Sequence, residues 1–204
     1  MSSTTSNSLE ISGYVTKILK TLENGMGITL EAKKMIERCI IIFSKKLLVY
    51  SNELSLIDQK KILKVRNLEN SLELWLIKFP KYKNILNESA LLAVENYFSE
   101  KYKNNKNKMK SKQKKAKITL PITRVKHYLE SLTVKDNISL KSNIYFAGLL
   151  DSLCIIICKK AIKNSHKLNK KRLTHTHISH AIQSNDFLSY VYKGCIMGGG
   201  IPSE

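Results

Sequence analysis

Acidic side chains are scarce in this sequence. Sixteen Asp and Glu stand against 35 Lys and Arg, a formal net charge of +19 over 204 residues. That imbalance is too large for most enzymes of this size and predicts a polyanionic partner, either nucleic acid or an acidic membrane surface. Carboxylates are also too few for a two-metal nuclease site, and neither a glycine-rich phosphate loop nor a Ser-His-acid order occurs. The reading is therefore not an enzyme, with no cofactor. Apolar runs stay well below the roughly 20 residues that span a bilayer, and the Ser/Thr-rich start, Met1 to Leu9, lacks a basic region followed by an apolar one. No membrane span and no secretory signal are expected. The four cysteines, Cys39, Cys154, Cys158 and Cys195, lack the density and spacing of a disulfide framework, which fits a reducing intracellular compartment.

The charge that is present is unevenly placed. Residues 1–103 carry 16 basic and 11 acidic side chains, and residues 104–204 carry 19 and 5. Between the halves runs Asn104 to Lys117, with seven lysines and no acid, which reads as a solvated linker. Before it, Val15, Ile18, Leu19 and Leu22 recur at helical spacing up to the break at Glu23 to Gly27. Thr29 can cap a long helix through Cys39 and Phe43 to about Asn52. After a break at Ser55 to Lys61, a short helix carries Val65, Leu68, Leu72 and Leu76 and stops near Pro80, and Ile85 to Tyr102 makes a fourth.

Beyond the linker the order recurs. A short helix starts at Pro121, a polar loop runs from Leu132 to Lys141, a long apolar helix spans Asn143 to about Lys167, and a short helix covers Thr176 to Gln183. Both long helices are apolar on more than one face, at Cys39 to Phe43 and at Leu153 to Ile157. Neither can be buried within one short-long-short unit, so pairing of the two within one chain is the economical solution.

The pattern resembles the histone fold, and the second half resembles histone H-two-A. Leu120-Pro-Ile-Thr-Arg-Val125, Ile144 to Asp151, Asn169-Lys-Lys-Arg172, Ala181-Ile182 with Asn185-Asp186, and Gly198 to Pro202 follow in that family's order. Tyr14 to Leu19, Gly27-Ile28-Thr29, the proline after the third helix, and Ala93-Val94 with Tyr97 resemble histone H-two-B. Fused pairs in this order are similar to the doublet histones of large DNA viruses.

The resemblance implies an all-α architecture of two histone folds paired in a handshake, with an extra carboxy-terminal helix on the first. Residues 1–10 are a disordered amino terminus, 11–103 the H-two-B-like fold, 104–117 the lysine-rich linker, 118–193 the H-two-A-like fold, and 194–204 a docking segment and carboxy terminus. It implies a nucleosomal role: wrapping double-stranded DNA and compacting a viral genome, in viral chromatin or the virion, in a host nucleus or viral factory. The implied partners are DNA, a second doublet or pair resembling the other two core histones, and a second copy of the chain.

Handshake pairing would set the first loop of each unit beside the second loop of the other. Candidate DNA contacts there are Thr29, Lys60, Lys61, Lys135, Lys141, Lys170, Lys171 and Arg172, with Arg124 on a first helix. Lys17 and Lys126 flank the amino ends of the paired short helices, near Ser12 and Thr119, where backbone N–H groups can face phosphates. Lysine and arginine neutralise phosphates with little sequence readout, and arginine suits a compressed minor groove. Gly198, Gly199, Gly200, Ile201 and Pro202 form the segment that would dock on a second histone pair. The family's acidic patch is largely erased: Ile156 and Lys159 hold two of its positions, leaving Asp151, Asp186 and Glu88.

Rival readings remain for some residues. A histone-fold transcription-factor pair would bend DNA similarly, and a membrane-surface protein would need an exposed apolar face that the pairing already uses. His175, His177 and His180, with Cys154 and Cys158, invite a zinc reading. No nearby acid supports it, so no metal is assigned.

Overall fold

The computed structural model describes residues 9–57, 62–103, 111–133 and 137–193, the side chains of residues 55, 57 and 100–103 aside. The first unit comprises α1 (Ser12–Leu22), β1 (Gly27–Ile28), α2 (Leu30–Ile57), β2 (Ile62–Leu63), α3 (Val65–Trp75) and α4 (Pro80–Lys103). A short α5 (Lys112–Ala116) leads to the second unit: α6 (Ile122–Leu132), β3 (Asn137–Ile138), α7 (Leu140–Lys167), β4 (Arg172–Leu173), α8 (His175–Gln183) and α9 (Asp186–Tyr192).

Local chemistry sets the ends of the long helices. The Thr29 hydroxyl accepts a hydrogen bond from the Ala32 N–H at 3.3 Å at the start of α2, as its position before the apolar run predicts. Ser139 does the same for α7, accepting from the Ser142 N–H at 3.1 Å. The C-terminal turn of α7 carries His166 and Lys167, which suit the negative end of the helix dipole. Gly25 supplies the left-handed turn after α1, with φ of 92°.

The two units share one core. Val15, Ile18 and Leu19 of α1, Ile36, Cys39, Ile40, Phe43 and Leu47 of α2, and the apolar positions of α6, α7 and α8 belong to a single buried cluster. α4 lies along α7 at a close crossing of small residues, where a Cβ added to Gly148 would sit 2.8 Å from the Ala93 Cβ. Tyr145 of α7 donates a 2.6 Å hydrogen bond to Asn87 of α4. Phe187 of α9 stacks on Tyr82 of α4, with ring centres 4.4 Å apart.

Two parallel pairings of two residues each tie the units together. β1 pairs with β4, Gly27 opposite Arg172 and Ile28 opposite Leu173. β2 pairs with β3, Ile62 opposite Asn137 and Leu63 opposite Ile138.

Several elements depart from the sequence expectations. α4 begins at Pro80 rather than Ile85, because proline's fixed φ suits the first helical position as well as it ends the preceding segment. α2 continues to Ile57, past the expected end near Asn52. The stretch read as solvated linker contains α5, whose Ala116 is buried. α9 was not expected: Asn185 caps it by accepting from the Leu188 N–H at 3.1 Å, and Phe187, Leu188, Val191 and Tyr192 are buried. Leu9, assigned to a disordered terminus, is also buried.

Candidate nucleic-acid interface

Several exposed basic side chains lie where the two units meet. At the first junction, the Gly27 N–H donates to the Lys171 carbonyl and the Thr29 N–H to the Leu173 carbonyl, both at 2.9 Å. This sets the loop before α2 against Lys170, Lys171 and Arg172, all three exposed. Gly27 permits the approach, since a Cβ there would lie 3.3 Å from the Arg172 Cγ. An open basic depression beside it is lined by Lys170, Lys171, Arg172, Thr174, Thr176 and His177. His166 of α7 lies 2.9 Å from the Glu23 carboxylate at the end of α1.

His177 has a local structural task. Its Nδ1 accepts from the Thr174 N–H at 3.0 Å, closing the first turn of α8. Burial first, then Lys170 and His180, hold its pKa below the ordinary histidine value, which suits a ring nitrogen acting as acceptor. Thr29 likewise uses its hydroxyl as a helix cap, and Glu31 beside it is held below the usual carboxylate range by its backbone N–H and by Thr29.

The second junction is built from β2 and β3. The Ser139 N–H and the Ser142 hydroxyl both reach the Leu63 carbonyl, at 3.2 and 2.9 Å. Lys141 is exposed in the first turn of α7, its ammonium 5.4 Å from the centre of the Phe98 ring. Lys64 and Arg66 are exposed immediately after β2 and were not singled out from the sequence. Lys60, Lys61 and Lys135 lie outside the described residues.

A third junction joins the amino-terminal turns of α1 and α6. Arg124 of α6 donates from Nη1 to the Glu10 carbonyl at 2.9 Å. The Tyr14 ring of α1 lies under both Arg124 and Lys17, with centre-to-cation distances of 5.8 and 5.1 Å. Lys126, two residues further along α6, lies 3.1 Å from the Glu130 carboxylate one turn on, so its charge is partly offset within the chain. α5 adds Lys112 and Lys114, with Lys117 just after it, all exposed, so that part of the lysine-rich linker is ordered as a helix.

Asp151 is buried in α7 and accepts hydrogen bonds from the Thr119 and Leu120 N–H groups, at 3.1 and 2.9 Å. It therefore fixes the approach to α6 and is not displayed on the surface, correcting its expected place in a residual acidic patch. Burial raises its pKa to about 6, against the opposing pull of the two N–H groups. Asp186 and Glu88 are exposed, while Ile156 is half-buried and Lys159 exposed. The segment from Gly198 to Pro202 lies outside the described residues. Cys39, Cys154 and Cys158 are buried thiols, and Cys154 is pushed above its usual pKa by its hydrogen bond with Cys158 and by burial. Among the described residues no cluster of three or more metal-ligating side chains occurs, and no helix is long and apolar enough to cross a membrane.

Two long helices in contact, each flanked by short ones, with the first loop of each unit laid in parallel on the second loop of the other, make this a histone-fold protein. The histone from Methanopyrus kandleri, known from a crystal structure, superposes with a TM-score of 0.52 at 12% identity, covering 85% of this chain and 93% of that one. The chain belongs to the histone H-two-A family: it is 30% identical to histone H-two-A.Z of Phaeosphaeria nodorum over 93 residues, 45% of this chain and 67% of that protein. It is also 29% identical to histone H-two-A variant 1 of Arabidopsis thaliana over 97 residues, 47% of this chain and 71% of that one. No family model matches the chain.

Proposed function

We propose that this chain is a DNA-packaging histone doublet. An H-two-B-like unit, residues 11–103, and an H-two-A-like unit, residues 118–193, pair within one chain to form a basic surface that bends double-stranded DNA. The observation that carries the reading is the reciprocal loop pairing, Gly27 with Arg172 and Ile62 with Asn137. It gathers cations at each junction, from the second unit at β1–β4 and from both units at β2–β3, as a duplex binder requires and as scattered solvated lysines would not. The likeness to H-two-A relatives favours chromatin over a sequence-reading transcription factor. The Methanopyrus kandleri histone, one chain that matches 85% of this one, supports two units on one chain.

Contacts to DNA come from Lys17, Thr29, Arg124, Lys141, Lys170, Lys171 and Arg172, with Lys126 secondary. Lys60, Lys61 and Lys135 add charge by their place in the sequence. In this reading the chain works in chromatin, and its fused order is what points to a viral genome. It completes a nucleosome-like particle with a second doublet or pair resembling the other two core histones, and with a second copy of itself. Val49, Tyr50, Leu56, Leu74 and Ile77, large apolar side chains left exposed on α2 and around the end of α3, provide a face for that partner, and Gly198 to Pro202 a docking segment.

Nuclease digestion of DNA reconstituted with the chain, with and without such a partner, tests the proposal. A discrete protected length is expected only with the partner, and it should shorten when Arg124→Lys and Arg172→Lys remove the planar fork but keep the charge. Equal protection with and without the partner would overturn the requirement for a second pair. Absence of any duplex binding would overturn the histone reading as a whole.

A further inference from the structure

The third junction is made differently from the other two. At the β1–β4 and β2–β3 ends, backbone strands hold the two units in register. Between α1 and α6 side chains do it, and two of them are cations drawn to one aromatic ring. Lys17 Nζ and Arg124 Cζ lie 5.1 and 5.8 Å from the centre of Tyr14.

Like charges held side by side repel, and on a solvated surface both side chains would swing apart. Two features oppose this. The ring offers its negative π-face to both cations. The second restraint on Arg124 is the Glu10 carbonyl, at 2.9 Å, and a neutral acceptor orients the guanidinium without cancelling its charge. That segment is itself fixed, because the Ile11 N–H donates to the Glu37 carboxylate of α2 at 3.0 Å. Lys126 shows the alternative: a carboxylate partner, which fixes a cation and also partly offsets its charge.

We propose that Tyr14 is a positioning residue for DNA binding, whose ring holds Lys17 of its own unit and Arg124 of the other together at the seam so that both meet the same stretch of phosphate backbone. The inference rests on the DNA-packaging reading and adds to it a residue that carries no charge. Tyr14 is half-buried with one side against the core, so its ring is already ordered before DNA arrives, and the entropy of gathering two long side chains is reduced in advance.

The test is binding of the full chain to a labelled random-sequence duplex over a range of salt, with thermal unfolding measured in parallel. Tyr14→Phe keeps the π-face and should bind as the parent does. Pentafluorophenylalanine at position 14 keeps the shape but reverses the quadrupole, and should weaken binding about two- to five-fold, as should Tyr14→Leu. In an Arg124→Ala background the Tyr14→Leu penalty should shrink, because one of the two positioned cations is gone. The proposal is overturned if the fluorinated ring binds as tightly as the parent, or if the Leu penalty is the same with and without Arg124. The fluorinated variant decides the matter even if Tyr14→Leu fails to fold. Failure of the parent to bind any duplex would instead remove the DNA-packaging reading on which this inference stands.

Discussion

α2 and α7 have the same length, 28 residues, and the same place in their units, yet they are enclosed very differently. Every residue of α7 from Ser142 to Cys154 is buried, because α4, α6, α8 and α1 all pack on that helix. α2 is equally buried from Cys39 to Leu48 only on its inner side, and beyond that Val49, Tyr50 and Leu56 are exposed, Leu56 at 64%. α3 and the residues after it leave Leu74 and Ile77 uncovered on the same unit, Ile77 at 67%. One long helix is thus completed by its own chain, with α4 supplying the cover. Among the described residues, the other ends in apolar surface that is left exposed. The contrast lies in the long helices themselves, α7 enclosed from Ser142 to Cys154 and α2 left more open toward its end.

Mutations should separate these two regions, with the largest stability effect on the enclosed one. Gly148→Leu places a side chain where even a Cβ would meet Ala93 at 2.8 Å and the Ala90 Cα at 3.1 Å. A loss of about 3 kcal/mol or more is expected in urea unfolding, since backbone rather than a flexible side chain must give way. A stable Gly148→Leu protein would show that α4 can lift off α7.

Asp151→Asn addresses the same helix through charge. Burial raises the folded pKa of Asp151 from 3.8 to about 6, so its contribution to stability is fullest below the unfolded value and is lost as pH rises through about 6. Asparagine keeps an acceptor for Thr119 and Leu120 without the buried charge. The variant should gain about 2 kcal/mol over the parent at pH 8, with the gap closing toward pH 4. A pH-independent difference would mean that the pKa of Asp151 is the same in the folded and unfolded chain.

A smaller gain is expected beside the same cover. Lys117 ends α5 in a left-handed conformation with φ of 54°, a geometry that glycine adopts without steric conflict. Lys117→Gly should raise the thermal midpoint by the equivalent of about 0.5 kcal/mol, reduced from the full steric relief by glycine's greater unfolded-state entropy. The smallest effect belongs to the open side. Leu56→Asp and Ile77→Asp should each change the stability of the isolated chain by less than about 0.5 kcal/mol, yet abolish assembly with a second histone pair in sedimentation experiments. A large loss of stability in either variant would mean that this surface is closed within the chain after all.

Much of the enclosed side was legible in the sequence because apolar spacing reports it directly. The period of Val15, Ile18 and Leu19, the doubly apolar stretches around Cys39 and Leu153, and Thr29 ahead of α2 led to the paired short-long-short plan. What escaped was set by context. α5 lies in so lysine-rich a stretch that composition argues for solvation, yet it packs along α4 with Ala116 in the core. Pro80 signals an end and a beginning equally well. α9 did carry a signal, an Asn185 cap followed by apolar residues at 187, 188, 191 and 192, but it is shorter than two full periods. Among the candidate contacts, Lys170, Lys171 and Arg172 lie at the β1–β4 junction. Whether a cation is left available depends on partners distant in sequence or one helical turn away. Lys126 is partly offset by Glu130, and Arg124 is turned toward Glu10.

The two short parallel pairings also bear on how the chain reaches this state. They are nested: Ile62 with Asn137 closes an inner loop, and Gly27 with Arg172 closes an outer one around it. Closing the inner loop first leaves less slack for the outer, so assembly should proceed from the middle of the chain outward, slowly for a helical protein of this size because its decisive contacts are distant in sequence. A nascent chain cannot form either pairing until β3 has been synthesised, and until then α2 has only α1 and α3 of its own unit to pack on, without α7 and α8. Once both loops have closed, dilution cannot separate the two halves, so their pairing is independent of protein concentration, whereas two separate polypeptides would dissociate as they became scarce.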